Sequence, residues 1–451
     1  MSENAKLTRG SIPGHLVSQT LPAIVGVAAM MSIGIVDAYY IGQLGSAELA
    51  AVAFIFPISV ALASLGVGVM VGIASVVARA LGEGDRDKAA RRANLGIVLA
   101  VGFGAVIGLL LFAFHGPLFR LMNASPAQLE LIELYIRPYA LGFPLLIANM
   151  GMSGALRGQG EARRTSTINI TYAVTNWVLN PILITGAFGF EGFGIAGSAY
   201  ATLTGWALGM VVAVVLMRGT LLPIDLSLLR QGRLLEPAGA ILKVAAPAAI
   251  SNAINPIGLS VLTALLAREG ADAVAGFGAA GRVQSFAVVP LLALSGAIGG
   301  IVGQNWGARQ FGRARQAALY SGVFCIGWGL AMAVVLVLAD GWLARLFTDD
   351  PAIAREFERY LTIASWGYAG FGLLIVGNGA LNAIDKSGFA LLQSCARVFL
   401  VMLPLAWVVG AGWGSDAIYA AELAANVAGG ALASFVVWKL LRGPRAEAVL
   451  A

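Results

Sequence analysis

The amino-acid sequence predicts an all-α polytopic membrane protein, with twelve transmembrane helices in two six-helix lobes related by a pseudo-twofold axis along the membrane normal. Three observations predict this fold. Hydrophobic residues make up 59% of the chain and charged residues only 12%, whereas soluble domains carry about 25% charged residues. Long apolar runs recur along the chain, and the second half of the sequence repeats the first. The expected solvent is therefore a bilayer.

Twelve apolar runs are long enough to cross a hydrocarbon core about 30 Å thick. The first six lie at about 16–42, 48–75, 89–114, 129–155, 164–186 and 192–217, and the second six at about 238–265, 272–302, 313–339, 353–381, 388–410 and 416–441. We therefore divide the chain into an N-lobe (1–217), a cytoplasmic linker (218–237), a C-lobe (238–441) and a cytoplasmic tail (442–451).

The basic residues predict the orientation of the chain. Of the 29 lysines and arginines, 21 lie in alternate loops and near the termini, and six lie in the opposite loops. Because cytoplasmic loops are enriched in Lys and Arg, we expect both termini in the cytoplasm and a multi-pass location in the bacterial inner (plasma) membrane. Met1–Gly14 is short and mildly basic, so we expect no signal peptide. These loops account for the net charge of +6, and we expect no nucleic-acid partner.

The two halves of the sequence align without a gap when 225 is added to each position of the first half. Matched pairs include Pro22 with Pro247, Gly45 with Gly270, Gly82 with Gly307, and Tyr135 with Tyr360. Repeats with an even number of spans share one orientation, so their pseudo-twofold axis runs along the membrane normal. A substrate path is then expected between the lobes, as in transporters.

Several segments carry a resemblance to a known family. They are LPAIVGVAAMMSIGIVDAYYIGQLGSAELAAVAF in the first two spans, GEGDRDKAARRA and GARQFGRARQAA in paired cytoplasmic loops, GALRGQGEARR after the fourth span, and NWVLNPILI and AGSAYATL in the next two. Over essentially its whole length the chain resembles the multidrug and toxic compound extrusion (MATE) family, DinF-type branch. The resemblance implies a V-shaped protein that works by alternating access and exchanges an exported compound for H⁺ or Na⁺.

Asp37 is the acid deep in the first span, with no Lys or Arg within a helical turn. An ionised, unpaired carboxylate costs several kcal/mol in a membrane, and a low-dielectric site favours the neutral acid. These properties suit a proton carrier, and the resemblance implies a cation-binding aspartate at this position. The alternative is a carboxylate that is solvated at the outer end of the span.

Asn176 and Asn180 stand four residues apart, hence on one face of the fifth span. Pro181 follows them and removes a helical hydrogen bond. The resemblance implies that Asn176, with Asn149 and Thr202, completes the cation site. Asn180 stands where several members carry a second aspartate. A single acid can carry a proton, whereas Na⁺ is better held by two carboxylates, so the coupling ion is expected to be H⁺ rather than Na⁺.

The C-lobe has no carboxylate opposite Asp37, because Leu262 occupies the matching position. Glu422 is its one clear intramembrane acid, and Arg282 or Arg397 is expected to pair with it or to contact anionic lipid. Flexible thioethers suit a promiscuous site. The residues predicted to line the substrate cavity are Met30, Met150, Asn252, Asn255, Gln284, Asn378 and Glu422.

These features predict a secondary active antiporter that exports small cationic or amphipathic compounds, such as drugs or toxic metabolites. The expected protein is a monomer in contact with membrane lipid, without a cofactor or a bound metal, and it is not an enzyme. One alternative is a flippase of lipid-linked saccharides, whose architecture usually adds two spans and lines the cavity with arginines; the sequence indicates neither. A second alternative is a non-drug metabolite exporter, and a third, from a different class of protein, is an intramembrane enzyme or a channel.

Overall fold

The computed structural model of the chain describes residues 5–187, 191–230 and 234–442, with the backbone alone for 409–413. In these ranges it contains fourteen α-helices. They are α1 (Ile12–Gly42), α2 (Ser46–Glu83), α3 (Arg86–Leu121), α4 (Pro126–Gly158), α5 (Ala162–Asn180), α6 (Ile195–Arg218), α7 (Leu235–Glu269), α8 (Ala271–Ala287), α9 (Val289–Gly307), α10 (Phe311–Phe347), α11 (Pro351–Ala364), α12 (Tyr368–Ala383), α13 (Ser387–Cys395) and α14 (Leu403–Leu440).

These helices form the twelve predicted spans. In the described part of the chain, ten helical segments are long and apolar enough to cross a bilayer, and α8 with α9, bent by 44°, makes an eleventh. The more polar α5, continued by a π-helix at Pro181–Thr185, is the fifth span. The tenth span joins α11 to α12 through a 3₁₀ turn at Ser365–Gly367. The last two spans, Ser387–Val408 and Gly414–Leu440, meet near Gly414, whose φ is 71°.

Local sequence signals set the helix ends. Asp85 caps α3 by accepting a hydrogen bond from the Lys88 amide at 2.8 Å, and Gly84 ends α2 with a φ of 86°. Ser125 and Gln128 form a capping box at the start of α4. Helices such as α2 and α10 extend beyond the predicted spans, since α2 continues to its cap at Gly84 and α10 runs from Phe311 to Phe347.

Small residues bring the lobes together. A Cβ atom built on Gly68 would lie 2.5 Å from the Cβ of Ala249, and one built on Gly72 would lie 2.8 Å from the Cβ of Ala245. Close approach through Gly and Ala lets van der Waals packing hold membrane helices together. The N-lobe helix α2 thus packs directly on α7 of the C-lobe.

At one end of the bundle the lobes touch across the pseudo-twofold axis. A Cβ atom on Gly82 would lie 2.1 Å from the carbonyl oxygen of Gln304, and one on Gly307 would lie 2.2 Å from that of Arg79. Since Gly82 matches Gly307 and Arg79 matches Gln304 in the repeat, the two contacts are symmetry equivalents. We call this contact region, formed by 75–84, 303–309 and 382–385, the closed end.

Further hydrogen bonds fasten the closed end. The Ser75 hydroxyl donates to the Asn382 carbonyl at 2.6 Å, and the Arg79 guanidinium donates to the Ala383 carbonyl at 3.0 Å. Arg79 also lies 3.8 Å from the carboxylate of Asp385. These bonds join α2 of the N-lobe to the end of α12 in the C-lobe.

The start of the predicted linker is bonded to the N-lobe. The Leu222 amide donates to Gln159 at 3.2 Å, and the Asp225 amide donates to Asn94 at 2.8 Å. Donation from the Ser227 amide and hydroxyl lowers the pKa of the Asp225 carboxyl. Residues 231–233 of the linker and 443–451 of the predicted tail lie outside the described residues.

Candidate cation site and central cavity

Four of the predicted N-lobe residues form one chain of hydrogen bonds. The Asn180 amide donates to the carboxylate of Asp37 and, at 2.8 Å, to the side-chain oxygen of Asn176. The Asn176 amide in turn donates to the Thr202 hydroxyl at 3.3 Å. Both asparagines are 0% exposed, whereas Asp37 is half-buried in the penultimate turn of α1. Helices α1, α5 and α6 thus bring these side chains together.

The backbone of α5 changes pitch at this chain. Pro181 cannot donate a backbone hydrogen bond, and α5 gives way there to the π-helix Pro181–Thr185. Single π-turns within α-helices occur frequently at functional sites. The proline therefore ends the regular helix directly after the two asparagines.

Two polar atoms around the carboxylate have no hydrogen-bond partner among the described residues. They are the side-chain oxygen of Asn180 and the hydroxyl of Ser198, both buried. Ser198 lies beside Asp37, and no cation pairs with that carboxylate in the described ranges. Ser198 was missed from the sequence, because a serine in a span is more often a link between helices.

Asn149 does not join this chain. Its amide donates to the Trp206 carbonyl at 2.8 Å, and its side-chain oxygen has no partner among the described residues. The residue therefore links α4 to α6 beside the site.

The C-lobe carries a cationic cluster on the equivalent spans. Arg397 lies in the π-helix Ala396–Met402 of the eleventh span, which corresponds to the fifth. Its guanidinium donates to the side-chain oxygens of Asn255 on α7 and Asn426 on α14. Spans seven, eleven and twelve thus meet around a guanidinium on span eleven, whereas spans one, five and six meet around a carboxylate on span one.

Glu422 is enclosed inside the C-lobe. It is 3% exposed and accepts hydrogen bonds from Gln284 at 3.2 Å and from the Tyr360 hydroxyl at 3.1 Å. Neither Arg282 nor Arg397 forms an ion pair with Glu422 in the described part of the chain. Arg397 bonds to amide oxygens and interacts with the Glu422 carboxylate only through space.

A cavity of about 380 Å³ lies between the lobes. Of the residues predicted to line a cavity, Asn252, Asn255 and Asn378 line this one. The other four, Met30, Met150, Gln284 and Glu422, are not among the residues that line it. Met150 instead packs against Gly66 of α2, Gln284 and Glu422 bond to each other, and Met30 is half-buried on α1.

Two arginines, Arg157 and Arg397, also line this cavity. The expectation of a cavity without arginines is therefore wrong. Arg157 lies one residue before the end of α4, where its side chain packs against Gly296 of α9. From the sequence, Arg157 was counted among the basic residues of the cytoplasmic loops. The only signal against that reading is the run of small residues around it, GMSGALRGQG, which is typical of a helix contact.

Comparison with known proteins gives consistent matches over both halves. The MatE family model matches residues 22–182 and 247–408. A protein of Shewanella oneidensis named FAD transporter is 31% identical over 411 residues, covering 90% of each chain. A probable multidrug resistance protein NorM of Deinococcus radiodurans is 30% identical and covers 87% of this chain and 86% of the relative.

Solved structures agree in fold. A crystal structure of a mutant of the Vibrio cholerae MATE transporter VcmN superposes with a TM-score of 0.91, at 26% identity, covering 96% of this chain and 97% of that chain. The two matched segments of the family model begin at Pro22 and Pro247, which the internal repeat pairs. This multi-pass membrane protein therefore belongs to the MatE family of multidrug and toxic compound extrusion transporters.

Proposed function

We propose that the chain is a secondary active antiporter that exports a small molecule across the bacterial inner membrane in exchange for H⁺. One observation carries this proposal: the half-buried Asp37 carboxylate is bonded to the neutral amide of Asn180 and to no cation in the described residues. An acid in such surroundings can bind a proton from an aqueous opening, because no neighbouring cation holds it in the charged form and the neutral acid is the less costly form in a membrane.

The single carboxylate supports H⁺ over Na⁺ as the coupling ion. A dehydrated cation needs several oxygen ligands with compensating charge, and only Asp37 supplies charge in this cluster. The unpaired Asn180 oxygen could accept a hydrogen bond from the protonated form of Asp37. The Ser198 hydroxyl could donate a hydrogen bond to its ionised form. Asn149 is kept in the proposed site as a neighbouring residue, because its side-chain oxygen has no partner among the described residues.

The closed end supports alternating access. The lobes touch at Gly82 and Gly307, so one opening of the path between them is shut. We propose that 1–217 and 238–441 rock as units, with the hinge in the part of the linker beyond Asp225, because the preceding residues are bonded to the N-lobe.

Reconstitution into proteoliposomes tests this function. Full-length protein is expected to move an exported compound when a pH gradient is imposed, and to move none when the gradient is collapsed by a protonophore. A Na⁺ gradient of equal size should have no effect. Transport driven by Na⁺ alone would overturn H⁺ coupling, and transport without any gradient would overturn antiport.

We also propose a monomer with both termini in the cytoplasm. This orientation puts the closed end, which carries the basic loops, on the cytoplasmic side. Alkaline phosphatase fused after Ala451 should be inactive, and green fluorescent protein fused there should fluoresce. The reverse pattern would contradict the topology.

A second candidate is a non-drug metabolite exporter. One relative bears the name FAD transporter, and the cavity is lined by two arginines, Arg157 and Arg397. Both observations favour a metabolite with negative charge. A flippase of lipid-linked saccharides would share the arginines, but the twelve spans of this chain lack the two that are usual in that architecture.

A further inference from the structure

The charges that line the central cavity are all positive. The lining residues include the guanidinium groups of Arg157 and Arg397 and, in the described part of the chain, no Asp or Glu. Buried charges are normally paired. Among the described residues Arg157 has no countercharge and Arg397 has no ion pair, so the cavity points to a ligand that supplies negative charge.

Arg157 has no partner of its own in the described residues. Its guanidinium makes no hydrogen bond or ion pair there, and its Nε atom is buried and unsatisfied. The side chain lies over Gly296, where a Cβ atom would come within 2.0 Å of Nη1. A glycine at this position leaves room for the guanidinium beside the cavity, at the boundary between α4 of the N-lobe and α9 of the C-lobe.

Arg397 is held in place without an ion pair among the described residues, although the Glu422 carboxylate attracts its charge from inside the C-lobe. It is 3% exposed, its two bonded partners are the neutral amide oxygens of Asn255 and Asn426, and its Nε atom is unsatisfied. The guanidinium carbon also lies 5.4 Å from the centre of the Phe371 ring. Neutral partners fix the orientation of the group, and no carboxylate of the described residues bonds to it.

The rest of the cavity fits an anion with an apolar body. Hydroxyl and amide groups line it, and three of them form a fixed cluster: Ser251 bonds to Ser394 at 2.8 Å, and Asn378 donates to Ser394 at 2.9 Å. Aliphatic and aromatic side chains form the other walls. Binding pockets commonly combine apolar walls with a few fixed polar groups in this way.

We propose that this cavity binds an amphipathic organic phosphate, whose phosphoryl oxygens bond to Arg157 and Arg397. A phosphate monoester carries about two negative charges at neutral pH, which matches two guanidinium groups, and its three oxygens can accept bonds from both sides. A carboxylate has only two oxygens, which one arginine can occupy. The proposal specifies the substrate class of the exporter proposed above and rests on that function. Of the cationic or amphipathic compounds expected from the sequence, it keeps the amphipathic character and replaces the positive charge with a negative one.

Flavin mononucleotide and riboflavin are suitable probes, because both are fluorescent and they differ by one phosphate group. Binding to the purified full-length protein in detergent is measured at equilibrium, without a gradient. We expect flavin mononucleotide to bind at least tenfold more tightly than riboflavin. Rising salt should reduce this difference in affinity, because it screens the attraction between the phosphate and the arginines. Equal affinity for the two flavins would overturn the proposal.

Arg157→Gln is the most direct variant, since Arg157 has no protein partner in the described residues whose loss would disturb folding. We expect it to weaken binding of flavin mononucleotide about tenfold or more, because a hydrogen bond to a charged group is lost, and to leave riboflavin unchanged. Arg282→Gln is the matched control, since Arg282 lies outside the cavity lining. Equal effects of the two substitutions would contradict the role of Arg157.

Asn252→Asp tests the need for a positively charged cavity without removing an arginine. Asn252 lines the cavity, and the substitution is isosteric. The added carboxylate should pair with the guanidinium groups and weaken flavin mononucleotide binding by a similar factor. Unchanged binding in a folded variant would count against the proposal. Because these measurements need no gradient, they separate a failed substrate class from a failed H⁺ antiport.

Discussion

Proteoliposomes that contain Asp37→Asn are expected to show export no faster than protein-free vesicles when a pH gradient is imposed. The amide keeps the shape of the side chain and can still accept the hydrogen bond from Asn180. It cannot take up a proton, so the exchange loses its coupling step. The free energy of unfolding should change by about 1 kcal/mol or less, since one hydrogen bond is weakened and none is left without a partner.

Two comparison variants make this result specific. Asp349→Asn alters an exposed carboxylate between α10 and α11 and should export at the wild-type rate. Glu422→Gln tests the other enclosed acid, and because its carboxylate is held by Tyr360 and Gln284 inside the C-lobe, gradient-driven export should persist. Full H⁺-driven export by Asp37→Asn, together with its loss in Glu422→Gln, would transfer the coupling role to Glu422.

The fold was predictable from the sequence because a membrane imposes strong constraints. Each span needs a long apolar run, and the repeat with offset 225 fixes the arrangement of two like lobes. The helix interruptions were harder to predict. The bend between α8 and α9 lies between Gln284 and Pro290, signals that were assigned to the interior of one predicted span. The 3₁₀ turn at Ser365–Gly367 likewise lies inside one predicted span.

The two lobes also differ in how far their sites could be predicted. The chain from Asp37 through Asn180 and Asn176 to Thr202 was predicted because an acid and a spaced asparagine pair are costly in lipid and therefore conspicuous. Arg157 was missed because its charge, at the end of a span, resembles that of any loop arginine. Whether such a side chain faces solvent or turns into a cavity depends on the glycine opposite, Gly296, which is distant in sequence.

The closed end allows a direct test of lobe motion. Cysteines at Glu83 and Ala308, in a variant without Cys325 and Cys395, would flank the contact between Gly82 and 304–308. Both positions are accessible, so a short, cleavable bis-thiol reagent should join α2 to the segment after α9. Because alternating access requires these segments to separate, export should fall to the level of protein-free vesicles and recover when the reagent is cleaved.

A second cysteine pair separates arrested motion from chemical damage. Glu83 and Lys88 form an ion pair at 2.7 Å within the N-lobe, and such an exposed pair contributes at most about 1 kcal/mol to stability. Cysteines at these two positions, joined by the same reagent, link α2 to α3 without joining the lobes. Export should then continue at its unmodified rate. The rocking of the lobes is contradicted if the pair at Glu83 and Ala308 is fully crosslinked and export persists, because a joined closed end could not open. Loss of export in both pairs would instead show that the reagent acts on the N-lobe itself. The difference in export rate between the two crosslinked variants is therefore the readout of lobe motion.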